Sequence, residues 1–189
     1  MIGSHDSFTY KKPNNPIWSL FSFMWRTQNK SLEQQYASGV RYFDIRIRRT
    51  KQSWQPCHGL VDLGVGTFPT LYSLVNTLEF KLPNSYFRII LERGDDSEFK
   101  KEVPDIITNH KVVFIGIKKD WKVLKDKECA FLIDYSWVPF KSNYSIINNI
   151  KNWWNTTRFS TIKSWAKKNN PEITELIKDN NIVYFMDFV

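Results

Sequence analysis

The sequence predicts a single α/β domain over residues 1–189, built as a trimmed or distorted TIM-type β/α barrel. Six or seven short runs of β-branched and aromatic residues alternate with helical patterns, which favours a largely parallel sheet. Polar residues follow several of these runs, at the ends of strands where β/α barrels carry their sites. A chain of this length leaves room only for short or missing helices, and a doubly wound open sheet is the alternative architecture.

The predicted strands follow one another along the chain. Residues 1–3 are the stub of a first strand, residues 40–48 alternate as a second, and residues 54–57 form a short third. The later strands are predicted over residues 86–91, 112–117, 130–135 and 182–189.

Helical patterns lie between these strands. The hydroxyl of Ser31 suits the N-cap of a helix over residues 31–38. Pro104 is expected to break or restart a polar helix over residues 95–109. Further helices are predicted over residues 70–78 and 172–178.

The net charge of +8 favours an anionic partner, which can be nucleic acid, an anionic membrane surface or a phosphate-bearing substrate. No nucleic-acid recognition motif is present, so that class ranks last. No run approaches the ~20 apolar residues of a membrane span, and the first residues lack the basic start and apolar core of a signal peptide. The two cysteines, Cys57 and Cys129, favour buried free thiols over a disulfide.

Two of the three histidines lie in polar, glycine-flanked segments at strand ends. His5 ends the first predicted strand and His58 the third, while Arg46 lies on the second. Two imidazoles and a guanidinium are what phosphodiester cleavage needs. One imidazole accepts a proton from the attacking oxygen, the other donates one to the leaving oxygen, and the guanidinium binds the charged phosphorus centre.

Aspartates accompany these three groups. Asp6 follows His5 directly, and Asp44 lies two residues before Arg46, so that their side chains leave the strand on the same face. In a closed barrel the first and last strands are neighbours, which would bring Asp187 to His5. A carboxylate behind an imidazole fixes its tautomer and raises its basicity.

In order and spacing, these residues resemble the phosphatidylinositol-specific phospholipase C X-domain family, in its bacterial, metal-independent form. The likeness covers nearly the whole chain, and Ser4-His5-Asp6-Ser7 is similar to the family's Thr-His-Asp-Ser motif. The other similar segments are Asn15-Pro16-Ile17, Trp25-Arg26-Thr27-Gln28, residues 39–46, Cys57-His58-Gly59, Asn170-Pro171-Glu172-Ile173 and Met186-Asp187-Phe188.

The resemblance implies cleavage of phosphatidylinositol-type lipids by attack of the inositol 2-hydroxyl on phosphorus. The products would be diacylglycerol and a cyclic inositol phosphate. It implies that His5 is the general base, oriented by Asp187, and that His58 is the general acid, supported by Asp6. Arg46 would bind the phosphate and stabilise the pentavalent centre.

The resemblance also implies that Asp44 shares the polar network around the phosphate. The family's basic contacts to the inositol ring are not clearly matched, since Asp134 lies where a base is expected. We nominate Arg93 to compensate and Tyr135 as the aromatic contact to the ring.

Arg46 stands where calcium-dependent relatives have a metal ligand, and a guanidinium can supply the same positive charge beside phosphate. We therefore expect no metal and no cofactor. Glu92, at the end of the fourth predicted strand, is the one further residue that could act as a metal ligand.

The expected partner is phosphatidylinositol or glycosylphosphatidylinositol at a membrane surface, with no nucleic acid. The protein is expected to be a monomer, peripheral to the membrane, in a compartment that the sequence leaves open. The Trp153-Trp154 pair predicts a membrane contact, whereas the aromatic residues of 18–25 predict core. Phe8 replaces the family's usual glycine after the histidine motif, and we expect its ring either to narrow the pocket or to alter the choice of headgroup.

Two rival functions remain at this stage. One is a metal-dependent barrel of the glycerophosphodiesterase or sphingomyelinase-D type, against which Arg46 and the lack of a Glu-x-Asp pair argue. The other is a catalytically inactive barrel that binds anionic lipid, which Phe8 favours.

Overall fold

The computed structural model describes residues 2–107, 112–116, 122–124 and 184–186. The strands in these ranges are β1 (Ile2–Ser4), β2 (Tyr42–Arg49), β3 (Trp54–His58), β4 (Val61–Asp62), β5 (Tyr86–Arg93), β6 (Val112–Ile115), β7 (Lys122–Leu124) and β8 (Tyr184–Met186). The helices are α1 (Ile17–Leu20), α2 (Ser22–Trp25), α3 (Leu32–Ala37), α4 (Leu71–Lys81) and α5 (Asp96–Ile107).

The strands form one mixed sheet, which confirms the predicted α/β class. Its main path runs β4-β3-β2-β5-β6-β7, and β1 pairs with both β2 and β8. The expected neighbour relation of the first and last strands is confirmed, because Ser4 of β1 pairs in parallel with Met186 of β8. Within the described ranges β4 and β7 are the ends of an open path, so these strands alone do not close a barrel.

The expectation of a parallel sheet is wrong for three strands. β3 runs antiparallel to β2, β4 antiparallel to β3, and β7 antiparallel to β6. Only residues 50–53 connect β2 to β3, with Arg49 opposite Trp54. A link this short permits a hairpin but not the crossover that a parallel pair requires. The two-residue β4 and three-residue β7 are too short to show a periodic pattern.

The helix starts follow the predicted capping chemistry. The Ser31 hydroxyl accepts a hydrogen bond from the N–H of Gln34, whose side chain accepts one from the N–H of Ser31. Pro104, by contrast, lies inside α5 rather than ending it. The buried side chains of Phe99, Val103 and Ile106 hold this helix against the core, which offsets the backbone hydrogen bond that proline removes.

The core lies on one face of the central strands and leaves the other face to polar groups. Along β2, Phe43, Ile45 and Ile47 are buried in the apolar cluster, while Asp44 and Arg46 alternate with them. The apolar residues of β2 therefore fix the face on which the charged ones lie.

Phe8 packs into this apolar cluster and is only 5% exposed. The expectation that its ring narrows the pocket is therefore wrong. Cys57 is a buried free thiol, as predicted. Several predicted features lie outside the described residues: Cys129, Tyr135, Trp153-Trp154, Asp187, the strand over residues 130–135 and the helix over residues 172–178.

Across the part of the chain that the structure describes, no helix has the length and apolar character needed to cross a membrane.

Candidate active site

Five of the predicted site residues come together where β1 ends, along β2 and at the end of β3. They are His5, Asp6, Asp44, Arg46 and His58, and the first three are almost fully buried. The polar residues that the sequence placed on or after three separate strands therefore lie together in the structure.

The turn after β1 fixes Asp6 in a left-handed backbone conformation, with φ of 45°. Aspartate adopts this region more readily than most residues. The N–H of Ser7 donates to the carbonyl oxygen of Asp44 at 2.8 Å, and the Ser7 hydroxyl donates to the Ser4 carbonyl at 2.9 Å. These bonds tie the turn to β2 and hold the Asp6 carboxylate over that strand.

The backbone of His5 is held by two polar side chains. Its carbonyl oxygen accepts hydrogen bonds from Thr27 Oγ1 at 3.1 Å and from Gln28 Nε2 at 3.0 Å. The sequence indicated the Thr27-Gln28 segment only as part of the family likeness, with no role for either residue. Both side chains are buried, so they act as a support for the turn.

The ring of His5 is oriented by Arg46. The Nε2 atom lies 2.6 Å from Arg46 Nη2. A guanidinium can only donate hydrogen bonds, so Nε2 must be the acceptor and the ring carries its proton on Nδ1. In this tautomer the Nε2 lone pair accepts the Arg46 hydrogen bond, and it can accept a substrate proton once Arg46 turns to the phosphate.

The ring of His58 faces hydrogen-bond acceptors, whereas Nε2 of His5 faces a donor. Its Nδ1 lies 2.5 Å from the carbonyl oxygen of Trp25, and its Nε2 lies 3.1 Å from Oδ2 of Asp6. Both neighbours are acceptors, so each ring nitrogen faces a group that favours an N–H at that position. This arrangement is suited to a group that gives up a proton.

Asp6 is the carboxylate that the two imidazoles share. Its Oδ2 lies 3.5 Å from His5 Nε2 and 3.1 Å from His58 Nε2, while its Oδ1 contacts Arg46 Nε. The Asp6 carboxylate therefore contacts both imidazole rings and the Arg46 guanidinium.

Asp44 forms a fully buried ion pair with Arg88. These residues are opposite each other on β2 and β5, and Asp44 Oδ1 accepts from Arg88 Nε at 2.8 Å. Burial opposes ionisation of Asp44, but the charges of Arg88 and Arg46 outweigh it and hold the pKa of this carboxyl below its ordinary value. Sequence reasoning missed Arg88, whose signal was a single cation within the apolar run Phe87–Leu91.

Arg46 is surrounded by acids. Glu92 Oε1 accepts from its Nη1 at 2.6 Å, and Asp44 Oδ2 lies 3.3 Å from its Nε. Burial lowers the pKa of Arg46, but the charges of Asp6, Asp44 and Glu92 raise it by more, well above the ordinary value. The three neighbouring acids therefore favour the charged form of the Arg46 guanidinium.

Glu92 connects Arg46 to the turn after His58, because its other oxygen accepts from the N–H of Gly59. The acids could in principle serve a metal instead. His5, Asp6 and Asp44 each offer a ligand atom, and these atoms lie within 4.8 Å of one another. The Arg46 guanidinium already contacts all three residues, so a cation would compete with it for the same atoms.

A cleft of about 350 Å³ opens beside this cluster. It is lined by Arg46, Gly59, Leu60, Ile90, Leu91, Glu92 and Arg93. Arg93 pairs with Asp62 at 2.8 Å. The structure therefore places Arg93 on the wall of the cleft, where its carboxylate partner is Asp62.

No family model matches the chain, and no curated protein matches it in sequence. Solved structures do match. The chain shares the fold of bacterial phosphatidylinositol-specific phospholipases C. The enzyme from Listeria monocytogenes aligns over 100% of this chain and 87% of its own, with a TM-score of 0.62 and 16% identity.

Two structures of the Staphylococcus aureus phosphatidylinositol-specific phospholipase C give similar results. The first, from work on its membrane binding, has a TM-score of 0.57 and 18% identity, with 100% of this chain and 85% of that chain covered. The second, an N254Y/H258Y double mutant, has a TM-score of 0.58 and 18% identity, with 100% and 84% covered. At these identities the phospholipase C likeness concerns the fold.

Proposed function

We propose that the protein is a metal-independent phosphatidylinositol-specific phospholipase C with a TIM-like barrel. The main support for this proposal is that the imidazoles of His5 and His58 both contact the carboxylate of Asp6. His5 receives a hydrogen bond from Arg46, whereas His58 faces two acceptors. This is the asymmetry that a base and an acid acting on one phosphodiester require.

The proposed reaction moves one proton at each histidine. Nε2 of His5 removes the proton of the inositol 2-hydroxyl as that oxygen forms a bond to phosphorus. The bond from phosphorus to the diacylglycerol oxygen then breaks, and His58 gives its proton to that oxygen. Arg46 stabilises the charge on the phosphoryl oxygens, and the products are diacylglycerol and a cyclic inositol phosphate. In a slower second step, water opens the cyclic ester with the two roles exchanged.

Asp187 is proposed to orient His5. The parallel register of β1 and β8 supports this, because Met186 pairs with Ser4, and these two residues directly precede Asp187 and His5. Tyr135 and Arg93 are proposed to contact the headgroup, and Asp44 to complete the network around the phosphate.

A membrane surface is the proposed location of the substrate, and exposed apolar side chains support it. Ile17 and Leu20 on α1 are 61% and 76% exposed, and Leu60 at the cleft is 69% exposed. The prediction that residues 18–25 are core is confirmed for Trp25, but Phe21 is exposed. We call Ile17, Leu20 and Phe21 the apolar segment.

The test is release of diacylglycerol from phosphatidylinositol vesicles in the presence of a chelator. We expect release by the wild type and a fall of about 10²- to 10⁴-fold in His5→Ala and His58→Ala, with the fold retained by circular dichroism. A folded wild type that releases nothing with or without chelator contradicts the proposal. Activity that requires added calcium or magnesium supports the metal-dependent rival. Vesicle binding without hydrolysis, unchanged when both histidines are lost, supports the inactive lipid-binding barrel.

A further inference from the structure

The segment of residues 25–28 leaves helix α2 and continues without regular secondary structure. At its start, the carbonyl oxygen of Trp25 lies 2.5 Å from Nδ1 of His58. Trp25 is buried, and its Nε1 donates to the carbonyl oxygen of Trp18 at 2.8 Å. The packing of Trp25 therefore fixes the carbonyl oxygen that the ring of His58 contacts.

At its other end, the same segment contacts His5. The Thr27 hydroxyl and the Gln28 amide donate to the carbonyl oxygen of His5 at 3.1 Å and 3.0 Å. Both side chains are buried. Buried and satisfied hydrogen bonds of this kind hold a backbone rigidly, so the segment also fixes the residue that carries the second imidazole.

Thr9 determines which groups donate in this network. Its Oγ1 accepts from the N–H groups of Thr27 at 3.1 Å and of Gln28 at 3.0 Å. A hydroxyl has two acceptor positions and one proton, so the Thr9 proton points to the Thr27 hydroxyl at 2.7 Å or to the Asp6 carbonyl at 2.9 Å. Thr27 can therefore use its own proton for the carbonyl oxygen of His5.

Arg26 fastens the middle of the segment. Its Nε donates to the carbonyl oxygen of Gln28 at 3.1 Å, and its Nη2 donates to the carbonyl oxygen of Tyr10 at 3.3 Å. Each of the four consecutive residues is thus held by at least one hydrogen bond, so a shift at one end of the segment would be passed to the other.

We propose that residues 25–28 form a bridging segment that sets the distance between the imidazoles of His5 and His58, with Thr27 and Gln28 as positioning residues. This rests on the proposed function, in which the two histidines act on the attacking and the leaving oxygen of one phosphorus centre. A misplacement of about 1 Å can cost such a reaction about 10²-fold in rate. Thr27 and Gln28 would act through the backbone of His5 and not on the substrate.

The kinetic test uses a soluble inositol phosphodiester and variants of the bridging segment. Thr27→Val keeps the shape of the side chain but removes its hydroxyl. We expect its kcat to fall about 10- to 100-fold with KM unchanged, because the side chain supports proton transfer and not substrate binding. Gln28→Met should show a similar fall, whereas Thr27→Ser keeps the hydroxyl and should keep most of the activity.

The matched control is Thr77→Val, which also removes a hydroxyl that donates to a backbone carbonyl, at 2.7 Å within α4. It should keep the wild-type kcat. An unchanged kcat in a folded Thr27→Val overturns the proposal. A loss of activity that only follows the loss of folded protein, with a normal kcat per folded molecule, also overturns it, because it assigns Thr27 to stability alone.

NMR of the histidine ring nitrogens tests the connection between the two imidazoles without any turnover. In Thr27→Val the ring signals of both His5 and His58 should change, since one segment holds both. Thr77→Val should leave both as in the wild type. A change confined to His5 overturns the proposal.

The two measurements also separate this proposal from the proposed function. Release of diacylglycerol by the wild type, with no effect of Thr27→Val on kcat or on the ring signals, means that the bridging segment is wrong and the phospholipase activity stands. Linked changes of both ring signals, in a protein that cleaves no phosphatidylinositol, mean that the activity is wrong and the bridging segment stands.

Discussion

Asp44 and Arg88 form an ion pair inside the protein, with 2.8 Å between Oδ1 and Nε and no exposed side-chain surface on either residue. Asp44 also lies 3.3 Å from Arg46, so the pair connects the interior of the sheet to the candidate active site. We expect Arg88→Met to lower the free energy of unfolding by about 3–5 kcal/mol, because it leaves a buried carboxylate without its main partner. Chemical denaturation measures this.

The exposed pair of Lys81 and Glu33 is the control for that measurement. Its N–O distance is 3.0 Å, but about half of each side chain is exposed. Lys81→Met should cost less than about 1 kcal/mol. Equal losses in the two variants would mean that the interior pair contributes no more than a surface pair.

Acid should weaken the fold through Asp44. Its pKa is lowered in the folded state despite burial, because the charges of Arg88 and Arg46 favour the carboxylate. The stabilisation is therefore complete above the ordinary carboxyl pKa of about 3.9 and is lost as the pH falls through the lower folded-state value.

Denaturation midpoints of the wild type and Asp44→Asn, measured from about pH 6 down to about pH 2, check this linkage. The wild type should be the more stable at the upper end, and the difference should shrink towards the lower end. A constant difference would show that the ionisation of Asp44 is not linked to folding.

Asp6→Asn should reduce the rate of diacylglycerol release by about 10²-fold or more, since it removes the charge that both imidazoles contact. Asparagine tolerates the left-handed backbone at this position, so the stability should change little. Asp6→Ala should lower the free energy of unfolding by roughly a further 1–2 kcal/mol. This is the cost of the left-handed backbone conformation for a residue whose side chain cannot form local hydrogen bonds. Equal activity of Asp6→Asn and wild type would exclude Asp6 from the proposed mechanism.

Much of this arrangement was predictable from local pattern. His5, Asp6, Arg46 and His58 were placed together because strand ends meet at one edge of a sheet, and the structure brings them within hydrogen-bonding distance. Arg88 was not predictable in the same way, since its role depends on the β2–β5 register that pairs it with a distant aspartate.

Long-range packing also explains the other differences. By local preference alone, Pro104 would end the helix. It is accommodated inside α5 because neighbouring side chains of that helix are buried in the core. The ring of Phe8 follows a polar motif, yet it turns into the core. Asp187 and Tyr135 lie outside the described residues, and their roles stay predictions.

Glu92→Gln should lower kcat, because a neutral amide offers one oxygen where the carboxylate serves both Arg46 and the N–H of Gly59. Loss of a charge-assisted hydrogen bond predicts a fall of about tenfold. Steady-state kinetics with phosphatidylinositol vesicles, with and without chelator, measure it. If Glu92 were a metal ligand, chelator would abolish the wild-type activity and excess cation would partly restore the variant.

Leu20→Ser should weaken binding to anionic vesicles by about three- to tenfold, because burial of one large apolar side chain contributes about 1.5–3 kcal/mol at most. Hydrolysis of a soluble inositol phosphodiester should be unchanged, since the substitution lies in the apolar segment and not in the cluster around Arg46.

Phe80→Ser is the matched control for Leu20→Ser, because Phe80 is 90% exposed but lies on α4. Vesicle sedimentation compares the two variants. Equal effects would mean that the apolar segment is not a specific membrane contact.

The pairing of β1 with β8 has a consequence for biosynthesis. A ribosome makes residues 184–186 long after residues 2–4, so one edge of β1 stays uncovered while the residues between them are synthesised. Unpaired strand edges can associate with other chains, and contacts between distant residues form slowly. We expect the nascent protein to depend on chaperones during this interval, since β1 can be paired on both edges only once β8 has emerged.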